Sequence, residues 1–424
     1  MRLFIVASLC CPAAALAAGQ TLSLEQAIAT ARAHHPQLRQ ARAQNDVADA
    51  RADVARAGLL PQVTGTARYN HSASESGQSG GFNASTGSVV GNLWSFGVTG
   101  SQLLWDFGRT TGNWDAAKAT YDAQVATGRV TEKTVLLTVR TAYFTARADK
   151  ALLQVAKETL ANQVKHLGQV SAFIDVGTRP EIDRAQAKTD VANARLAMIR
   201  ADNAYSVARA QLNLAMGVEA TTGYDVGDET IPEVAGEDGT TDALVAEAIK
   251  SRPELAAIHA QQTAQDATIR AAKGDYFPIF TATAGASESG SALDSLNWSW
   301  NVGVTMTWPI FSGLATRSNV RAAESSRVAL DAQADSVRQQ VRLDVEQARL
   351  AVVAAKSAIG AAEEALTNAR ERLRLAEGRY QTGVGNIIEL GDAQVALTNA
   401  AAQKVQADYD LATARVTLLS TLGR

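Results

Sequence analysis

From Ala187 the chain carries an apolar seam: Ala187, Val191, Ala194, Met198, Ala201, Tyr205, Ala208, Leu212 and Ala215. The steps alternate between four and three residues, the spacing of a helix packed along a coiled-coil seam. The seam returns at Ala393, Leu397, Ala400, Lys404, Ala407, Leu411, Ala414 and Leu418. Every other position is alanine, so neighbouring helices can approach closely. Other stretches have period two instead. Trp94, Phe96, Val98 and Leu104 fall on one side of an extended segment, and Ser95, Thr99 and Ser101 on the other. Further on, Trp298, Trp300, Val302, Val304, Met306 and Trp308 alternate with Asn297, Ser299, Asn301, Thr305 and Thr307. Period two predicts strands with one apolar and one polar face.

The pattern occurs twice. "HHPQLRQARAQ" matches "SRPELAAIHAQ" at an offset of 217, which still holds where Pro61 pairs with Pro278. From Trp94 against Trp300 the offset is 206, and it persists to Met216-Gly217 against Leu422-Gly423. The difference falls in "NHSASESGQSGGFNASTGSVVGN", whose Ser, Gly and Asn content predicts an exposed loop. An internal duplication is therefore expected. The first repeat spans 19–217, with a helix over 23–59, strands over 61–71 and 92–105, and helices over 109–175 and 180–216. An acidic linker covers 218–240. The second repeat spans 241–424, with a helix over 241–276, strands over 278–287 and 296–311, and helices over 315–381 and 386–422. A single helix from Arg109 to Asp175 would reach about 100 Å, far beyond a globular core.

Composition narrows the function classes. A net charge of -3 without a basic run argues against a nucleic-acid partner. Residues 1–18 of "MRLFIVASLCCPAAALAAGQ" predict a secretory signal peptide, with Arg2 ahead of an apolar stretch and Ala15-Leu16-Ala17 as a small-x-small cleavage site. Cys10 and Cys11, the only cysteines, lie inside it. An exported chain without thiol chemistry is expected. The five histidines have no metal-ligand spacing, and no nucleophile, base and orienting group occur together. Neither an enzyme, a metal site nor a cofactor is expected. The linker carries seven carboxylates and no base, and is read as a solvated connector.

Five of the six tryptophans, Trp94, Trp105, Trp298, Trp300 and Trp308, sit in the two strand segments. Strands of about ten residues with one apolar and one polar side, and aromatic residues at their ends, fit a membrane β-barrel. Four strands cannot close a barrel, and lipid does not tolerate open edges. Shared strands, and so an oligomer, are expected.

The ordered, duplicated segments "LSLEQAIATARAHHPQL", "GLLPQV", "SQLLWDFGR", "VGTRPEIDRAQ", "DALVAEAIKSRPEL", "WPIFSG" and "YQTGVGNIIELGDAQ" resemble the TolC family of outer-membrane efflux and secretion channels. The resemblance implies a mainly α fold with membrane β: a homotrimer whose four strands per chain share a twelve-stranded barrel above a long periplasmic coiled-coil tunnel. It implies a passive exit duct of a tripartite efflux pump for small solutes such as drugs or metals. The duct would sit in outer-membrane lipid and dock to a periplasmic adaptor and an inner-membrane pump. The outer-membrane component of type I protein secretion is the alternative within the family. A periplasmic adaptor or structural coiled coil would share the helical hairpins but has no use for tryptophan-bearing strands.

The resemblance also implies site residues. Val176, Gly177, Thr178, Thr382, Gly383 and Val384 match the adaptor-contacting turns between helices. Glu389 and Asp392 match an acidic ring at the tunnel entrance, where three copies of each would favour cations. A helix N-terminus also favours such acids. Asp183 and Tyr380 match a pair that holds the entrance shut. Where some members carry an arginine past the second glycine turn this chain has Gly385, and an arginine stands instead at Arg179.

Overall fold

The structure, a computed structural model, describes residues 21–76, 87–219 and 223–424. The expected signal peptide over 1–18, with Cys10 and Cys11, lies outside the described residues, as does part of the Ser/Gly/Asn-rich interval. The elements in chain order are β1 (Thr21–Leu22), α1 (Leu24–His34), α2 (Pro36–Ala57), β2 (Gln62–Ser76), β3 (Gly87–Trp105), α3 (Arg109–Asp175) and α4 (Glu181–Met216). They continue with β4 (Asp225–Val226), α5 (Thr241–Ser251), α6 (Pro253–Gly274), β5 (Ile279–Gly290), β6 (Asn297–Thr307), α7 (Ala315–Gln381) and α8 (Ile387–Thr421).

Two expected helices are each a pair. The helix over 23–59 breaks at His35, and the one over 241–276 breaks at Arg252. A proline follows in both cases and disfavours helical backbone in the residue before it; His35 and Arg252 accordingly take ψ 125 and ψ 123. The strand expected to reach 311 stops at Thr307, just before Trp308 and Pro309.

The fold divides into two compact units. Of the described residues, one unit comprises those within 21–42, 127–254 and 337–424, the other those within 43–126 and 255–336. In the second unit β2, β3, β5 and β6 form one antiparallel sheet in that order. Register sets its two faces. Trp298, Trp300, Val302, Val304 and Met306 lie opposite Glu288, Ala286, Ala284, Ala282 and Phe280. Those in turn lie beside Phe96, Val98, Gly100, Gln102 and Trp105, and Val63, Gly65, Ala67 and Tyr69 of β2 complete this face. The opposite face carries Thr64, Thr66 and Arg68, Ser95, Thr99 and Ser101, Thr281, Thr283 and Ser287, and Ser299, Asn301 and Thr305. Strict alternation would put Trp105 on that polar side. A bulge between Leu103 and Trp105 inserts Leu104 as an extra residue, so that Trp105 pairs with Phe280 on the apolar face. The apolar face is uncovered: Val63, Val98, Trp105, Trp298, Trp300, Val302, Val304 and Met306 are each more than half exposed.

The first unit has a conventional core. Leu22, Val139, Tyr143, Phe144, Leu212, Met216, Tyr224, Val226 and Val416 are buried together. The short strands β1 and β4 pair in parallel, and the Tyr143 hydroxyl donates to the carbonyls of Leu22 and Gly227, 3.2 Å each. Burial pushes that hydroxyl up to about 12, so it remains a donor. The coiled-coil seam is inward: Ala187, Ala194, Tyr205, Ala208, Leu212 and Ala215 are buried on α4, and Ala393, Ala400, Ala407, Ala414 and Leu418 on α8.

The described part of 218–240 is not the solvated connector expected from the sequence. Tyr224, Val226, Ile231, Val234 and Glu237 are all buried. The absence of a base within the segment misleads, because the bases come from distant helices. Arg415 grips both oxygens of Glu237 at 2.8 and 3.1 Å, Lys356 lies 2.7 Å away, and the Val234 N–H adds a bond of 2.9 Å. Burial opposes ionisation of Glu237, but these bonds outweigh it and hold the carboxyl at about 2.

Candidate functional site

The turns α3–α4 and α7–α8 lie in the first unit and are built alike. Both long helices end on a glycine with left-handed backbone, Gly177 at φ 76 and Gly383 at φ 78. The Gly177 N–H donates to Ile174 and the Thr178 N–H to Phe173, at 2.8 and 3.0 Å. Gly383 and Val384 repeat this on Tyr380 and Arg379, at 3.2 and 3.0 Å. These are Schellman closures, which satisfy the last helical carbonyls and require the left-handed residue. A Cβ at either glycine would meet nothing within 4 Å, so conformation alone selects glycine. Val176 and Val384 stand 71% and 75% exposed beside them. Thr178 and Thr382 turn their hydroxyls back onto the carbonyls of Phe173 and Gly378.

A small core joins the two turns. Val170, Ala187, Ala376, Tyr380, Leu390 and Ala393 are buried together, with Leu167, Phe173 and Ile387 against them. Tyr380 is 2% exposed. The Phe173 and His166 rings meet it edge-on, at 6.2 and 5.5 Å. The Arg179 guanidinium lies 4.5 Å above its ring, within range of a cation–π attraction. The same guanidinium donates to the carbonyls of Tyr380 and Gly385, 3.3 Å each. An arginine from the first turn thus reaches the backbone at Gly385, the position it matches in the second. Asp183 is buried as well, yet the Tyr380 hydroxyl has no hydrogen-bond partner, so no tyrosine–carboxylate bond is made within this chain. Burial raises the Tyr380 hydroxyl, opposed by Arg179 and aided by Asp183.

Glu389 sits in the first turn of α8, where the Asn386 side chain caps its N–H at 2.8 Å. Its carboxylate lies 3.4 Å from Arg379, a partner that motif matching does not reveal. Asp392 is exposed one turn on. Arg184 ties α4 back to the end of α3 through Asp175 at 2.7 Å. Asp183, Arg179, Tyr380 and the six turn residues therefore come together, with Glu389 and Asp392 on the adjoining turn of α8. The tryptophans belong to the other unit. Trp105, Trp298, Trp300 and Trp308 are largely exposed, and the Trp94 ring lies tilted against Tyr69, centroids 4.5 Å apart. Among the described residues no group of three or more His, Cys, Asp or Glu could hold a metal ion.

The outer membrane efflux protein family model matches residues 27–218 and 244–424. The chain belongs to that family. Outer membrane protein TolC of Escherichia coli K12 is 27% identical over 437 residues, covering 95% of this chain and 83% of that protein. The solvent efflux pump outer membrane protein SrpC of Pseudomonas putida is 25% identical over 342 residues, covering 79% of this chain and 72% of SrpC. Among solved structures, a membrane protein from Pseudomonas aeruginosa superposes with a TM-score of 0.83 at 24% identity, covering 94% of this chain and 90% of that one. The outer membrane protein VceC of Vibrio cholerae gives 0.80 at 18% identity, covering 94% and 96%. At those identities the structures establish the fold. Membership places the chain in the outer membrane as an efflux component, within a family of channel proteins rather than enzymes.

Proposed function

We propose that three copies of this chain pool their four-stranded sheets into one closed twelve-stranded barrel, continuous with a water-filled helical tunnel in the periplasm. The chain would then be a passive exit duct for small solutes. The observation that carries this reading is the sheet, with one exposed apolar face, one polar face and edge strands β2 and β6 that have no second neighbour among the described residues. Lipid cannot hydrogen-bond an open edge, and joining copies edge to edge removes every one. The eleven residues of β6, Asn297–Thr307, cover about 33 Å of strand, and a tilt of about 40° reduces it to about 25 Å, the height of a barrel's apolar band. The polar Ser, Thr and Asn face would line the bore. The duplicated order of helices and strands would supply two equivalent hairpins per chain to the tunnel.

The energy and the choice of cargo come from an inner-membrane pump, reached through a periplasmic adaptor that docks on the glycine turns and their exposed Val176 and Val384. Tyr380, Asp183 and Arg179 hold the entrance closed, with Arg179 supplying the cation that Gly385 lacks. Glu389 and Asp392 form the acidic ring. In planar bilayers the purified protein should conduct ions with a cation preference and be blocked by divalent cations. The double variant Glu389→Ala/Asp392→Ala should lose both properties. Undiminished selectivity in that variant contradicts the ring, and a wild type that never conducts contradicts the duct.

A further inference from the structure

His166 is a polar residue in an apolar place. It lies on α3 at 6% exposure, in step with the inward positions Gln163, Val170 and Phe173, and its ring meets Tyr380 edge-on at 5.5 Å. Tyr380 brings a buried hydroxyl without a partner, and its ring carries the Arg179 guanidinium. The groups acting on His166 are Asp190 and Asp183 from α4, Glu377 from α7, and the Gln169 side chain on its own helix. On α8, Glu389 pairs with Arg379 and Asp392 is exposed, and neither acts on His166. Burial dominates the three acids and lowers the His166 pKa. The neutral ring is therefore the form that fits the packed cluster.

We infer that His166 makes the closure of the helix tip sensitive to acid: protonation of this buried imidazole drives apart the α3 and α7 ends that Tyr380 joins. The inference rests on reading this cluster as the entrance lock. Its sign follows from linkage. A group whose pKa is lowered in the packed state favours that state above its ordinary value, near 6.5, and disfavours it as pH falls below that value. Each chain contributes at most about a tenfold shift per pH unit, and three chains around one bore would act together.

Hydrogen exchange of the intact purified protein at pH 7.5 and 5.5, corrected for the intrinsic pH dependence, tests this directly. Peptides covering 160–190 and 372–392 should exchange at least about threefold faster at the lower pH, while those covering the core around Tyr143, Leu212 and Val416 stay protected. In His166→Phe, which keeps the edge-on ring contact, the acid response of these peptides should vanish; His166→Gln provides a second variant should the first fail to fold. An equal acid response in wild type and variant, or none in wild type, overturns the inference. Conductance recorded on the same samples separates the two claims, because loosening of the tip without ion passage at any pH counts against the duct and not against His166.

Discussion

Glu237 is the most deeply buried carboxylate that the structure describes, at 2% exposure. It survives as an anion only because Arg415 and Lys356 converge on it. Its pKa is depressed from 4.5 to about 2, so its stabilising contribution is complete above the unfolded value and is lost as pH falls from about 4.5 towards 2. That gap corresponds to roughly 3 kcal/mol at neutral pH. Thermal unfolding followed between pH 7 and 3 should show a fall in wild type that Glu237→Gln largely lacks. At neutral pH the variant should be less stable by about 3 kcal/mol, since the Arg415 guanidinium is left buried without its counter-charge. Identical acid profiles for the two proteins would place the acid sensitivity elsewhere. The same residue shows the limit of reading charge along a chain. Seven carboxylates without a base look solvated, and only folding brings Arg415 across from α8.

At the scale of elements, the glycine turns are where sequence and structure agree most closely, because a left-handed helix end leaves a residue-specific mark. Gly177 and Gly383 have room for a side chain but not the backbone for one. Gly177→Ala or Gly383→Ala should cost about 1–2 kcal/mol locally, measured as faster hydrogen exchange in the last turn of α3 or α7 with the rest of the unit unchanged. Gly177→Asn should recover most of it, and a silent alanine variant would contradict the strain argument. The long helices and the period-two strands were legible for a similar reason: one repeated spacing governs each over many residues. The breaks at His35 and Arg252 were legible too, in Pro36 and Pro253, but a continuous amphipathic pattern across them masks the change of direction. The bulge at Leu104 leaves no mark in alternation, since Leu and Trp are both apolar. His166 and Arg379 could have been found as a polar residue in an apolar seam and a cation flanking Tyr380. What no pattern supplies is that the Arg179 guanidinium ends on the carbonyl of Gly385.

For the whole molecule, the uncovered sheet face decides the reading. The chain buries Tyr143, Leu212 and Val416 in one unit yet leaves Trp298, Trp300, Val302, Val304 and Met306 bare in the other, which supports the proposed lipid-facing barrel. No described helix is long and apolar enough to cross a membrane, and the proposed duct takes the strands as its spanning elements. The chain carries no cysteine beyond position 11, which makes labelling of introduced cysteines free of background there. Single cysteines placed at successive positions from Trp298 to Thr305 and exposed to a water-soluble maleimide in intact outer-membrane vesicles address the claim most directly. Labelling should alternate, strong at 299, 301 and 305 and weak at 298, 300, 302 and 304. Uniform labelling, as for a sheet wetted on both sides, or the opposite phase would contradict a lipid-facing barrel with a polar bore.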